Sequence, residues 1–292
     1  MKSPLLYTHK DWPGFSAWHQ TSPYMEWEVR RCDYGDPHPP PPGDSVVFYT
    51  NSELEHAAKH KVRRRVAFLL ETRFVAWWTY HFVEHHLDDF DVVLTYDDEL
   101  LTRYPDKCRF FPHGGCSIAA EDRRLYDKTK LVSFWASIRK TAPGHYARHQ
   151  FYEIYSDPEP NWATQYRQAV EVDCFGQLPH NYAETMLDCL RDYRFQIVME
   201  NNISDTYFTE KLIDCLTTGT IPIYRGTRKV ANFFDRVGIF HFDTMEELFA
   251  ILPELTPGLY EDRLAAVRQN FVAAKEFVLA EDWIYRNTDL FE

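Results

Sequence analysis

The sequence predicts an α/β fold built on two parallel sheets, one in each half of a 292-residue chain. Three observations predict it. Short apolar runs alternate with polar segments of helical character. That alternation occurs twice, before and after a stretch at 105–130 rich in proline, glycine and charge. The runs are apolar throughout rather than every second residue, which is how strands covered on both faces read. With 45% hydrophobic residues the chain can bury two cores of ordinary domain size, so disorder is not its general condition.

In the first half, strands are expected at “SVVFYT” (45–50), “RVAFLLE” (65–71) and “FDVVLTY” (90–96), each stopped by polar residues. Before them, “YGDPHPPPPGDS” (34–45) must be extended, because consecutive prolines fix φ and remove backbone donors. In the second half, “KLVSFWAS” (130–137), “VDCFG” (172–176), “FQIVME” (195–200) and “TIPIY” (220–224) read as strands. “HYARHQFYEIYS”, “NYAETMLDCLRDY” and “YFTEKLIDCLTTG” read as helices between or beside them, and Gly219 suits the C′ position of the last. Such alternation favours right-handed crossovers and a ligand beyond the carboxyl ends of the strands. After “FHFDTMEELFAILPEL”, the tail “YEDRLAAVRQNFVAAKEFVLAEDWIY” reads as one long amphipathic helix. The expected organisation is residues 1–128, residues 129–272 and a terminal helix at 273–292 packing back toward the first part.

A net charge of −12 opposes sequence-independent binding to nucleic acid. The opening “MKSPLLYTHKDWPGF” lacks the apolar segment of a secretion signal, and no window approaches the roughly 20 apolar residues that span a bilayer. The expectation is a cytoplasmic chain with no transmembrane segment. Six scattered cysteines without a CxxC predict reduced thiols and no zinc site.

The segment “ENNISDTYFTEK” (200–211) places many polar groups where a strand gives way to a helix expected to begin near Tyr207, with Ser204 or Asp205 as its cap. A helix start attracts phosphate, and Lys211 one turn in adds a full charge. Glu210 suits the two hydroxyls of a ribose, and Tyr207 can stack on a base or reach a phosphate.

The longer pattern “FQIVMENNISDTYFTEKLIDCLTTGTIPIYRG” resembles the donor-binding signature of glycosyltransferase family 10, the α-1,3/1,4-fucosyltransferases, in its E-N-S/N, Y-x-T-E-K and G-T-x-P-x-x-x-G elements. Upstream, “KLVSFWASIRKTAPGHYARHQFYEIY” is similar to the family's second donor element, with Arg148 as the guanidinium on the donor phosphates; Arg139 and Lys140 are alternatives. “VDCFG” matches its V-D-x-x-G. “RVAFLLETRF” resembles the family's strand ending in a glutamate, which places Glu71 at the general base, although “ETRFV” departs from the family's usual E-N-x-x-P there; Asp97, Asp98 and His113 are rivals. The resemblance implies a GT-B architecture, two Rossmann-like domains facing a cleft, with the acceptor on the first and the nucleotide sugar on the second. It implies inverting transfer to a glycan hydroxyl, with Glu71 and Arg148 catalytic and Arg148, Glu200, Asn201, Asn202, Tyr207, Thr209, Glu210, Lys211 and Gly226 on the donor. GDP-fucose is the implied donor. A UDP-sugar such as UDP-xylose stays open, because ribose and diphosphate are common to all.

No cofactor is expected to be required, since a helix terminus with Arg148 and Lys211 can replace a cation. The rival is “TYDDE” (95–99) holding Mn²⁺ or Mg²⁺ on the diphosphate, with metal stimulation as its sign. A second rival is a non-catalytic sugar- or nucleotide-binding protein, for which the aromatic “VAWWTYHFVEHH” (75–86) offers stacking faces.

Overall fold

The computed structural model describes residues 2–9, 22–32, 41–204 and 206–292, without the side chains of His9 and Cys32. Most of the proline-rich stretch and Asp205 lie outside them. The chain divides into two compact units: Met1–Gly115 with Ser204–Tyr207 and Leu279–Glu292, and Cys116–Ile203 with Phe208–Val278.

The first unit holds a six-stranded parallel sheet of β1 (Leu5–His9), β2 (Glu28–Cys32), β3 (Val46–Tyr49), β4 (Arg64–Phe68), β5 (Val92–Thr95) and β6 (Cys108–Phe110) in the order β2-β1-β3-β4-β5-β6. Strands β1, β2 and β6 lie beyond those expected from the sequence. Helix α1 (Arg73–His85) follows β4 and α2 (Asp98–Arg103) follows β5. Burial on both faces explains the unbroken apolar runs. Tyr49, Ala67 and Val93 pack on one side with Tyr80 and Val83 of α1. Phe48, Phe68 and Leu94 pack on the other with Ile284 and Leu290 from the chain's end.

The second unit holds a five-stranded parallel sheet of β7 (Lys130–Trp135), β8 (Val172–Phe175), β9 (Tyr193–Met199), β10 (Ile221–Arg225) and β11 (Phe240–His241), ordered β11-β10-β9-β7-β8. Its helices are α3 (Pro143–Ser156) and α4 (Thr164–Ala169) before β8, α5 (Glu210–Thr218) before β10, then α6 (Met245–Ile251), α7 (Pro257–Glu261) and α8 (Leu264–Ala274). Phe134, Phe195, Ile197, Ile223 and Phe249 form the middle of its core.

Several expectations change. Residues 181–193 form only a short 3-10 turn, Met186–Cys189, because Thr185 and Asp188 cap it reciprocally. The single terminal helix is interrupted: α7 ends at Glu261, α8 ends at Ala274, and α9 (Ala280–Asn287) belongs to the first unit. The units divide after Gly115 rather than after 128, because the intervening residues are tied to the second unit. Asp214 Oδ1 accepts from the Ser117 N–H at 2.7 Å, and Lys128 Nζ donates to Leu190 O and Thr220 Oγ1. Among the described residues no helix is long and apolar enough to cross a membrane. The five described cysteines are free thiols, four of them buried.

Candidate functional site

In the second unit the chain leaves β7 toward β8 on one side, while β9 lies on the other. Such a reversal of strand order opens a crevice beyond the strand ends. Here it is a cavity of about 530 Å³, lined from β7 and its loop by Trp135, Ser137 and Arg139, and from α3 by His145 and Arg148. Asn201, Glu210 and Lys211 close it from the β9–α5 connection.

Local sequence explains why the two helix starts meet there. Pro143 begins α3, where a missing N–H costs nothing. Gly144 follows because the backbone after β9 passes so close that a Cβ would lie 1.8 Å from Glu200 O. Its N–H donates to Asn201 O at 2.9 Å. Gly176, at φ +105°, similarly lets the β8 loop pass Ala136. These two glycines stand within “APGHYARH” and “VDCFG”, yet their packing role was not read from the sequence.

Arg148 is 5% exposed. It donates to Met199 O and to Asn201 Oδ1 at 2.7 Å, which fix the guanidinium at the carboxyl end of β9. Of the three phosphate candidates, Arg148 and Arg139 line the cavity, whereas Lys140 is not among the lining residues. Lys211 Nζ donates to Glu210 Oε1 at 2.7 Å and to Thr209 Oγ1 at 3.2 Å. Burial works against its charge, but Glu210 and Glu200 outweigh this and raise its pKa.

The helix after β9 starts at Glu210, not near Tyr207, and its cap is Thr209 rather than Ser204. The reason is Glu200. Its carboxylate is wholly buried and accepts from the Thr209 N–H at 2.9 Å, from Thr209 Oγ1 at 2.7 Å and from Tyr224 OH at 3.2 Å. Glu200 therefore positions the start of α5 from inside the fold and presents no surface to a ligand. Tyr207 is part of the first unit, where its ring packs 5.1 Å from Tyr96 and 5.5 Å from His113. Asn202 is half-buried and does not line the cavity. The space a Cβ on Gly226 would need is filled by the Tyr224 ring, 2.3 Å away, so that glycine serves Tyr224. Aromatic faces at the cavity come instead from Trp135 and from Tyr182, the latter 69% exposed. Tyr182 was hidden in a segment read as a helix.

In the first unit Glu71 is exposed just after β4, and Tyr80 OH donates to its main-chain carbonyl at 2.7 Å. Asp97 is committed elsewhere: it caps α2 through the Leu100 N–H and receives Arg73 Nε at 2.6 Å. Asp98 is half-buried, and His113 Nδ1 lies 3.3 Å from Gly114 O. In the aromatic stretch, Tyr80 and Val83 are buried while Trp77 and Trp78 are exposed.

Two parallel-sheet units, one with a polar cavity at its strand-order reversal, define a GT-B glycosyltransferase fold. A crystal structure of an alpha1,3-fucosyltransferase superimposes with a TM-score of 0.57 at 15% identity, covering 100% of this chain and 92% of that one. An alpha1,3-fucosyltransferase solved with GDP-fucose gives 0.53 at 17% identity, over 98% and 92% of the two chains. Residues 155–258 match the family model for the glycosyltransferase family 10 (fucosyltransferase) C-terminal domain. An α-(1,4)-fucosyltransferase of Arabidopsis thaliana is 35% identical over 66 residues, 22% of this chain and 16% of that relative. The matched stretch thus spans less than a fifth of the relative's length.

Proposed function

We propose that this chain transfers a sugar from a nucleoside diphosphate to a hydroxyl of a glycan with inversion, and that GDP-fucose is the donor. The observation that carries the reading is the convergence of two helix starts, Arg148 and Lys211 on one cavity at the β7/β9 reversal. In this reading the diphosphate lies against Arg148 and Lys211, the ribose diol donates to Glu210, and the base lies against Trp135 or Tyr182. GDP-fucose is favoured by the likeness to an alpha1,3-fucosyltransferase solved with it; UDP-sugars share the diphosphate and ribose and remain the competing donors.

Chemically, the acceptor oxygen attacks the anomeric carbon as the carbon–oxygen bond to the diphosphate breaks on the opposite face. The acceptor proton passes to the Glu71 carboxylate. The charge left on the departing nucleotide is held by Arg148 and Lys211, so no divalent cation is required.

A thermal-shift panel of GDP, UDP and their sugars, with Mn²⁺ or with chelator, tests this. A ligand at about 100 times its dissociation constant stabilises by about 2.7 kcal/mol. Stabilisation by GDP and GDP-fucose that survives chelator supports the reading. A response to UDP-sugars alone replaces the donor, and no response to any nucleotide removes the donor site. Glu71→Gln then separates catalysis from binding: nucleotide stabilisation stays and transfer falls about 10²- to 10⁴-fold.

A further inference from the structure

His145 is the third residue of α3, 8% exposed, and lines the cavity together with Arg148 and Lys211. Two groups of Thr141 reach its Nδ1: the main-chain N–H at 3.2 Å and Oγ1 at 3.2 Å. A main-chain N–H can only donate. Nδ1 must therefore carry the lone pair, and the hydrogen of the neutral ring sits on Nε2.

The surroundings keep the ring neutral. Burial, with Arg148, Lys211, Arg139 and His149 around it, lowers its pKa to about 4. Its place in the first turn of a helix acts in the same direction. Glu210 on α5, the carboxylate among the cavity's lining residues, is bonded to Lys211. A further full cation would be repelled here, whereas a neutral N–H donor adds a hydrogen bond at no electrostatic cost.

We propose that His145, held by Thr141 in its Nε2–H tautomer, is a further ligand of the donor's diphosphate, donating through Nε2 to a phosphate oxygen and drawing a proton from solvent onto Nδ1 when that anion binds in acidic solution. The proposal rests on the reading that this cavity takes a nucleoside diphosphate. The anion offsets the cations that disfavour the imidazolium, so the ring is more basic in the complex than in the empty cavity. Protonating Nδ1 displaces the Thr141 N–H bond, which limits the gain but not its sign. Affinity for the nucleotide therefore increases as pH falls through the range between the two states.

Calorimetric titration with GDP, and with UDP in parallel, at pH 5.5 in buffers of different ionisation enthalpy tests this. Binding with net proton uptake is expected. His145→Ala is expected to weaken GDP about 10-fold and abolish the uptake, and His145→Gln, which can still donate, to recover affinity but not uptake. Nitrogen-detected NMR of the wild-type imidazole supplies a readout that does not depend on a variant folding: a lone-pair Nδ1 is expected, and a protonated Nδ1 at neutral pH overturns the proposal. GDP binding and proton uptake unchanged in His145→Ala overturn it while leaving the donor site intact. Failure of every nucleotide to bind the wild-type protein overturns the donor site and this proposal together.

Discussion

Each unit sets an arginine close to the carboxyl ends of its strands, and the two are used in opposite ways. Arg73, the first residue of α1, is met by Asp97 at 2.6 Å, Glu84 at 3.0 Å and Glu99 at 3.5 Å. Burial works against its charge, yet Asp97 and Glu84 raise its pKa above the ordinary value. Arg148 is bonded to the Met199 carbonyl and the Asn201 amide oxygen. It also lines the cavity of about 530 Å³ together with Lys211. Position at a strand end is thus insufficient to define an arginine's role. The two differ in that Arg73 is enclosed by carboxylates as a structural clamp, whereas Arg148 faces a cavity.

The largest effect should come from Arg148→Ala. Transfer is expected to fall about 10³-fold, or roughly 4 kcal/mol, because charge on the leaving nucleotide loses its bidentate partner. Arg148→Lys should recover little, since a point charge cannot reproduce the planar fork. Initial rates and nucleotide-induced thermal shifts would check both, and a loss smaller than tenfold would break the contrast.

Arg73→Ala is the converse. Asp97, 4% exposed, would be left as a buried carboxylate without its main partner, costing about 3 kcal/mol in urea unfolding. Nucleotide affinity of the folded variant should stay within a factor of two. A variant that keeps its stability but loses nucleotide binding would show that Arg73, not Arg148, carries the anion.

The architecture of both units was legible because burial on both faces leaves unbroken apolar runs. “RVAFLLE” and “FQIVME” could be little else, and they became β4 and β9. Strand β1 was missed because only “LLY” within it is apolar, and β2, “EVRRC”, because it is a charged sheet edge. At the site, Arg148, Asn201, Glu210 and Lys211 line one cavity, since a strand–loop–helix signature fixes which residues lie just beyond a strand end. Glu200, Tyr207 and Gly226 resemble ligands in sequence, but their use depends on tertiary partners: Thr209 and Tyr224 for the first, Tyr96 and His113 for the second, the Tyr224 ring for the third. Tyr182 was hidden for a different reason: its segment reads as a helix, whereas it lies in a loop before the short 3-10 turn.

A third test bears on the buried support of α5. Glu200→Gln replaces an acceptor-only carboxylate with an amide whose N–H₂ must face either Thr209 or Tyr224, and it removes the charge 4.0 Å from Lys211 Nζ. A loss of about 2 kcal/mol in stability is expected. Nucleotide affinity should fall less than in Arg148→Ala, because Glu200 acts through the helix start rather than on the ligand. A reversal of that order would make Glu200 a direct ligand.

The last test concerns Asp214, whose effect is smallest near pH 4; its Oδ1 accepts from Ser117 and it is 2% exposed on the inner side of α5. Burial, reinforced by Glu210, raises its pKa from 3.8 to about 7. The folded chain therefore keeps a proton between about pH 4 and 7 that the unfolded chain has lost, and this residue's contribution to stability falls as pH rises through that window. Asp214→Asn keeps the acceptor for Ser117 and carries no charge, so its advantage over wild type should grow with pH from nothing near pH 4 to about 4 kcal/mol at pH 8. Urea unfolding of both proteins from pH 5 to 8 measures the difference directly. The result sharpens the contrast between the units, because Asp214 lines a small pocket with Arg148 and Lys211. A carboxylate that holds its proton below about pH 7 adds no charge to that pocket in mildly acidic solution, unlike Asp97, which is paired with Arg73. If the difference between variant and wild type instead stays constant from pH 5 to 8, Asp214 is ionised in the folded chain throughout that range.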